Sequence, residues 1–222
     1  MTTVTGRRPV EPKPLMRGLL HTYAFFVAVV CGIVLCSLAA TRPGTAPLVS
    51  VAVYSLTVCG LFGVSALYHR RRWSPAGYQL MRRLDHSMIF LFIAGTYTPF
   101  SVLLLEPSQA RLILAVVWGG ALAGVALKLA WPHAPRWAGA PLYIALGWVA
   151  VFALPSFLHR GGVVTLVLLI AGGLAYTVGA VFYALRRPNP WPRHFGHHEF
   201  FHACTLLAAL CHHIALYFAL YA

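Results

Sequence analysis

Histidine is over-used in this sequence: eleven occur among 222 residues, in a chain that is 59% hydrophobic and 9% charged. Two of them, His198 and His202, stand four apart, which on a helix puts both on one face with Cβ atoms about 6 Å from each other. That spacing lets two imidazoles hold one cation. A third imidazole from His69 would complete a three-nitrogen set with an open fourth position, the layout of a catalytic rather than a structural zinc. Water on such a zinc ionises near neutrality and becomes a usable nucleophile. Ser65 lies four residues before His69 and shares its helical face, where it could hydrogen-bond to that water or to a ligand; bonding back to its own helix carbonyl is the alternative. Asp85 is the only aspartate in the chain. Near a metal it would orient the bound water; otherwise it would pair with Arg82 or Arg83.

The string His198-Glu199-Phe200-Phe201-His202 also reads H-E-x-x-H, the metalloprotease pattern in which the glutamate is general base. Against that reading, Glu199 is the last acid in the sequence, so no later acidic ligand can follow it. His133, His159, His194 and His197 read as interfacial residues. His212 and His213 fall ten and eleven residues beyond His202, roughly 15 Å further along a helix. They cannot share its ion, which leaves polar packing or a separate role toward the other side of the membrane.

The elements that must position these residues follow from composition. A mean hydropathy of +0.74 and apolar runs recurring from end to end define an all-α integral membrane protein, since spanning segments must satisfy their own backbone hydrogen bonds. Seven apolar segments are expected, at approximately 19–40, 48–69, 86–104, 112–130, 141–158, 163–185 and 200–221, within one domain covering 1–222. The first is too long for a signal-peptide core and reads as a retained span. Prolines at 43, 47, 107, 132, 135 and 188–192 punctuate the loops. The Gly95-Thr96-Tyr97-Thr98-Pro99 run puts a proline inside the third span, where a kink is expected.

Lysine and arginine number 17 against 4 acids, a net charge of +13. The basic residues sit in short loops, so they read as topology and lipid-surface signals rather than as a nucleic-acid site. Arg7, Arg8, Lys13 and Arg17, then Arg70, Arg71, Arg72, Arg82 and Arg83, then Lys128 and Arg136, then Arg186, Arg187 and Arg193 alternate with the sparse Arg42, Arg111 and Arg160. That asymmetry predicts a cytoplasmic N-terminus, with residues 1–18 as a basic tail, and an outside C-terminus. His69, Asp85, His86, His198 and Glu199 then fall at helix ends on the inner side. An ionisable group at membrane depth costs roughly 2.5–3.5 kcal/mol on insertion scales, so each one invites a functional question. Five cysteines lie within apolar runs without a C-x-x-C pair and read as packing residues.

Three ordered motifs carry a family resemblance. Ser65-Ala66-Leu67-Tyr68-His69, then Arg82-Arg83-Leu84-Asp85-His86 running on to Ala94-Gly95-Thr96-Tyr97-Thr98-Pro99-Phe100, then Phe195-Gly196-His197-His198-Glu199-Phe200-Phe201-His202 resemble bacterial hemolysin III. That family stands within the progestin and adipoQ receptor superfamily, whose members have seven helices and an inside N-terminus. The similarity runs from the first span to the last. It implies a Zn2+ held by His69, His198 and His202, with Asp85 and Ser65 beside the metal water as catalytic groups. It also implies residence in the bacterial plasma membrane.

Relatives in the wider group are similar to alkaline ceramidases, so the resemblance implies zinc-dependent hydrolysis of a lipid amide, ceramide-like in class, with Asp85 accepting or relaying the proton. Membrane lipids are then the expected partners, and nucleic acid is not. The alternatives are a receptor or membrane-homeostasis regulator in which zinc is structural, and a lytic role suggested by the hemolysin name. No amphipathic, secretable pore segment is visible to support direct lysis.

Overall fold

The computed structural model describes residues 14–131 and 136–222. The sequence expectations for Arg7, Arg8, Lys13 and His133 lie outside the described residues. Those described are helical, with one isolated bridge between Trp191 and Phe195 and no β-strand. In order they form α1 (Leu19–Ala39), α2 (Ala46–Arg70), α3 (Pro75–Leu104), α4 (Pro107–Ala130), α5 (Arg136–Gly147), a 3-10 turn (Trp148–Ala153), α6 (Leu154–Leu185) and α7 (His197–Leu220). Proline stands in the first turn of α2, α3, α4 and α6, where its missing N–H has no intrahelical partner to lose.

Six stretches are long and apolar enough to cross a membrane, five of them single helices and one running Gly139–Leu185 over 47 residues. The expected fifth and sixth spans fall together in that last stretch. It is not one rod. The Lys128 ammonium near the end of α4 lies 5.7 Å from the Tyr143 ring of α5. Arg160 pairs with Glu106 at the start of α4, so the chain from 136 to 160 runs antiparallel alongside α4. Gly162 then takes a left-handed backbone (φ 76°) that a side chain would resist. The chain turns back, and Trp148 Nε1 donates to Thr177 Oγ1 at 3.0 Å across the two arms.

The switch from α5 to the 3-10 turn orphans backbone groups, which apolar surroundings penalise. Tyr97 repairs it: its hydroxyl donates to Gly147 O and accepts from Ala150 N, both at 2.6 Å. This explains why the expected uniform helix over 141–158 gives way to two geometries. A side chain from a distant helix supplies the missing pairing.

The third span differs from expectation at its start. α3 begins at Pro75, where Ser74 caps it by accepting from Gly77 N at 3.2 Å. Asp85 and His86 therefore sit about three turns inside the helix rather than at its N-terminus. Arginines 82 and 83 end an apolar window but not a helix.

Consecutive helices pack in order, α5 touches α4 and α6, and α7 returns to α1, which closes a ring; α3 also touches α5, α6 and α7 across it. The interior is a cluster of buried apolar side chains from every helix but α5, whose partly buried Tyr143 and Leu146 pack against it; Tyr54, Phe90, Leu104 and Leu216 are among the largest. The outer surface carries Val27, Val30, Ile33, Leu56, Leu112, Val163, Val167 and Leu174, each half or more exposed. So broad an apolar exterior belongs in lipid. The chain is an integral, multi-pass membrane protein.

Candidate metal centre

Three helix segments meet at one end of the bundle: the last turn of α2, the second quarter of α3 and the first two turns of α7. α2 ends with His69 one residue before its terminus, and α7 begins at His197. The His69, His198 and His202 nitrogens able to bind a metal all lie within 4.8 Å of one another. His198 Nε2 and His69 Nε2 are 3.1 Å apart, and His202 is 3% exposed. A tetrahedral zinc with Zn–N bonds of about 2.0–2.1 Å requires nitrogens roughly 3.3 Å apart. The His69–His198 pair already stands near that spacing, and three imidazoles are a donor set zinc accepts.

Asp85 and Ser65 come to the same place. Ser65 and Asp85 both line one cavity with His198 and His202. The cavity measures about 140 Å³ and continues between α3, α5, α6 and α7 as far as His212. His86 holds itself beside Asp85, its Nδ1 donating to Arg82 O at 2.8 Å and lying 3.6 Å from Asp85 Oδ2. Tyr183 Oη is 3.4 Å from the other ring nitrogen. Tyr143 donates to the His86 carbonyl at 3.2 Å.

Glu199 is elsewhere. It is 1% exposed, with Oε1 2.5 Å from Arg17 Nε and Oε2 accepting from Gly196 N at 2.9 Å. It does not line the cavity. Its carboxylate closes the first turn of α7 and ties the helix to the segment before α1. That segment is fastened a second time, Leu15 N and Met16 N donating to Arg193 O and His194 O at 3.0 and 3.3 Å. At its end Gly18 adopts φ 78°, and a Cβ there would lie 2.5 Å from His69 Cβ. Only glycine permits the backbone to pass so close to the metal-binding residue.

Two of the neighbouring groups escaped the sequence reading. His21 stacks face to face on His202, with ring centroids 3.7 Å apart and planes 8° from parallel. It is 2% exposed, and neither of its ring nitrogens has a hydrogen-bond partner. The signal was its depth: α1 starts at the end where α2 finishes and α7 begins. Arg17, counted only as a topology charge, is the other. His159 and His194 are exposed, as interfacial residues should be. The five cysteines are all free.

A closed ring of membrane helices around a partly buried tri-histidine cluster and a single cavity-facing aspartate defines a class of multi-pass membrane protein with a candidate metal centre. Within that class, the chain belongs to the Haemolysin-III related family, whose sequence profile matches residues 11–213. It is 34% identical over 145 residues to Hemolysin-3 of Bacillus cereus, an alignment covering 65% of this chain and 66% of that relative. Against the Hemolysin-3 homolog of Bacillus subtilis (strain 168) the identity is 26% over 193 residues, 86% of this chain and 87% of the relative. It is also 32% identical over 163 residues to the heptahelical transmembrane protein ADIPOR2 of Oryza sativa subsp. japonica, with 67% and 69% covered. The kinship to hemolysin III, and more distantly to adiponectin receptor-like proteins, is therefore established.

Proposed function

We propose that this protein is a zinc-dependent membrane hydrolase of a lipid amide, ceramide-like in class. The observation that carries the reading is the convergence of His69, His198 and His202 beside Asp85 and Ser65 at one end of an apolar cavity. The three imidazoles would hold the ion in a set that keeps a position open. A zinc ion supplies Lewis acidity toward a carbonyl and an activated water at neutral pH. Asp85 accepts the proton at its carboxylate and returns it to the leaving amine, while Ser65 orients that carboxylate by hydrogen bonding. The apolar walls hold the lipid's hydrocarbon and exclude bulk water. Stacking by His21 fixes the plane of the His202 ring.

The same reading includes topology. We take Gly139–Leu185 as two crossings, because 47 residues of helix extend about 70 Å, over twice the hydrocarbon thickness, and because the chain reverses at Gly162. That makes seven crossings in one domain. The excess of arginine at the metal-binding end puts that end and the N-terminus in the cytoplasm and the C-terminus outside. The membrane is the bacterial plasma membrane, and the partners are its lipids.

The test is metal content by mass spectrometry on detergent-purified protein, beside His198→Ala and His202→Ala, followed by turnover of ceramide and simpler fatty amides. About one zinc per chain, lost in both variants, and turnover that collapses in Asp85→Asn with the metal retained, is the expected result. Zinc-free wild-type protein prepared without chelators would remove the hydrolase mechanism. Bound zinc with no turnover of any amide would leave a receptor or regulator with a structural ion.

A further inference from the structure

Lys128 stands two residues before the end of α4, at the triad end of the bundle but outside the cavity, and it is only 7% exposed. A lysine so near a helix end has a stem long enough to carry its ammonium out to water, and one that served only as a topology signal would do so. This one is folded inward. Its Nζ lies 5.7 Å from the centre of the Tyr143 ring, and a Cβ at Gly139 would come within 2.8 Å of it. α5 therefore makes room for the ammonium with a glycine.

Two arginines reach the same junction. A Cβ at Gly124 would lie 2.5 Å from the Phe90 ring, which fixes the register of α4 against α3. One turn further along α4 comes Lys128, and the matching turns of the antiparallel α3 bring His86 and then Arg82 and Arg83. The Arg82 charge acts on the Lys128 ammonium. Arg83 is half-buried, and its Nε is buried without a partner. None of the three cations forms an ion pair among the described residues, where every acid is committed elsewhere. Asp85 lies 3.6 Å from His86 Nδ1, Glu106 pairs with Arg160 and Glu199 with Arg17. Three like charges gathered at the edge of an apolar medium repel one another, and a buried ammonium without a partner is costly. The cluster calls for an anion that the chain does not supply.

We infer that Arg82, Arg83 and Lys128, where α3, α4 and α5 meet, bind the phosphate group of an anionic membrane lipid. A guanidinium fork matches phosphate oxygens two at a time, and the ammonium adds a compact charge beside them. The site lies within about two turns of the helix ends, at the level of lipid phosphates, where basic pockets between membrane helices take up anionic head groups. Leu122, Leu129 and Trp131 on the same helix as Lys128 are exposed. They offer acyl chains an apolar surface and the head-group layer an aromatic ring, which a soluble phosphate could not use. The inference is independent of the proposed hydrolysis.

The experiment counts lipid on the intact protein. Full-length protein, freed of native lipid by detergent exchange, is titrated with dioleoylphosphatidylglycerol or dioleoylphosphatidylcholine and read by native mass spectrometry. Phosphatidylglycerol is expected to bind with an apparent Kd at least about tenfold below that of phosphatidylcholine, whose choline the cations repel. Lys128→Met keeps the stem and removes the charge, and should weaken phosphatidylglycerol by at least about tenfold. Arg83→Gln should do the same and stands in if the first variant does not fold. Arg72→Gln removes one charge from the exposed loop between α2 and α3, and should change the affinity by less than about twofold. Equal affinity for the two lipids in wild type overturns the inference without recourse to any variant. An equal loss in Arg72→Gln and Lys128→Met overturns it as well, in favour of diffuse attraction. Displacement of phosphatidylglycerol by millimolar inorganic phosphate would overturn the lipid as the source of the phosphate.

Discussion

Glutamate 199 separates two chemistries that the same five letters permit, and its surroundings set the size of the effect. The carboxylate is 1% exposed and Arg17 is 21% exposed, with 2.5 Å between Oε1 and Nε. The other oxygen accepts from Gly196 N at 2.9 Å. Removing one partner of a buried pair costs about 3–5 kcal/mol, because the other charge stays behind. Glu199→Ala strands the less buried member, so the lower figure applies, about 3 kcal/mol. Arg17→Met strands the carboxylate, the more deeply buried member, and should cost more. Glu199→Gln keeps one oxygen to accept from Gly196 N but turns its NH2 toward Arg17, so it loses the charge-assisted bond to a guanidinium that is 21% exposed and can turn to water, about 1–2 kcal/mol. For a chain this long each kcal/mol moves Tm by about 2–4 °C. Thermal unfolding in detergent should therefore show losses of about 6–12 °C for Glu199→Ala and about 2–8 °C for Glu199→Gln. Arg17→Met combined with Glu199→Gln should be less destabilising than the sum of the single variants. Zinc should be retained in Glu199→Gln. The reasoning is refuted if that variant unfolds like wild type yet loses all metal-dependent turnover, for the glutamate would then be acting as the base of a protease.

Three further outcomes are expected. Tyr97→Phe leaves Gly147 O and Ala150 N unpaired where α5 becomes a 3-10 turn, and should lower stability in the same unfolding assay by about 2–4 kcal/mol; a change under 0.5 kcal/mol would mean that other groups satisfy the junction. Gly18→Ala must carry a left-handed backbone costing about 1–2 kcal/mol and push His69 aside. Its zinc affinity, measured by chelator competition, should fall by at least about tenfold, the range in which displaced supports of a metal ligand act. Topology is checked by single cysteines at Arg72 or Arg111 in a background lacking the five natural ones: an impermeant maleimide should label Arg111→Cys in intact cells and Arg72→Cys only in inverted vesicles, and the opposite pattern would reverse the orientation.

Much of this protein could be read without coordinates. Apolar runs of about twenty residues and a membrane that forbids unpaired backbone make helices obligatory. The i, i+4 spacing of His198 and His202 fixes their shared face, because that is local helix geometry. The alternating direction of successive helices then returns His69 to the same end, so the triad is a consequence of topology as well as of sequence. What local patterns do not contain is the orientation of one helix against another. Whether Glu199 faces the metal or Arg17 depends on where the segment before α1 lies, 182 residues away along the chain. The stacking of His21 on His202, the reach of Tyr97 across to the end of α5, and the extension of α3 back to Pro75 are of the same kind. Hydropathy counts charges along a chain and is blind to a helix that continues past its apolar window. It is equally blind to a partner brought from elsewhere. Sequence therefore determined which residues could meet at membrane depth, and only tertiary packing decided which of their atoms face the cavity and which are already committed to holding the bundle together.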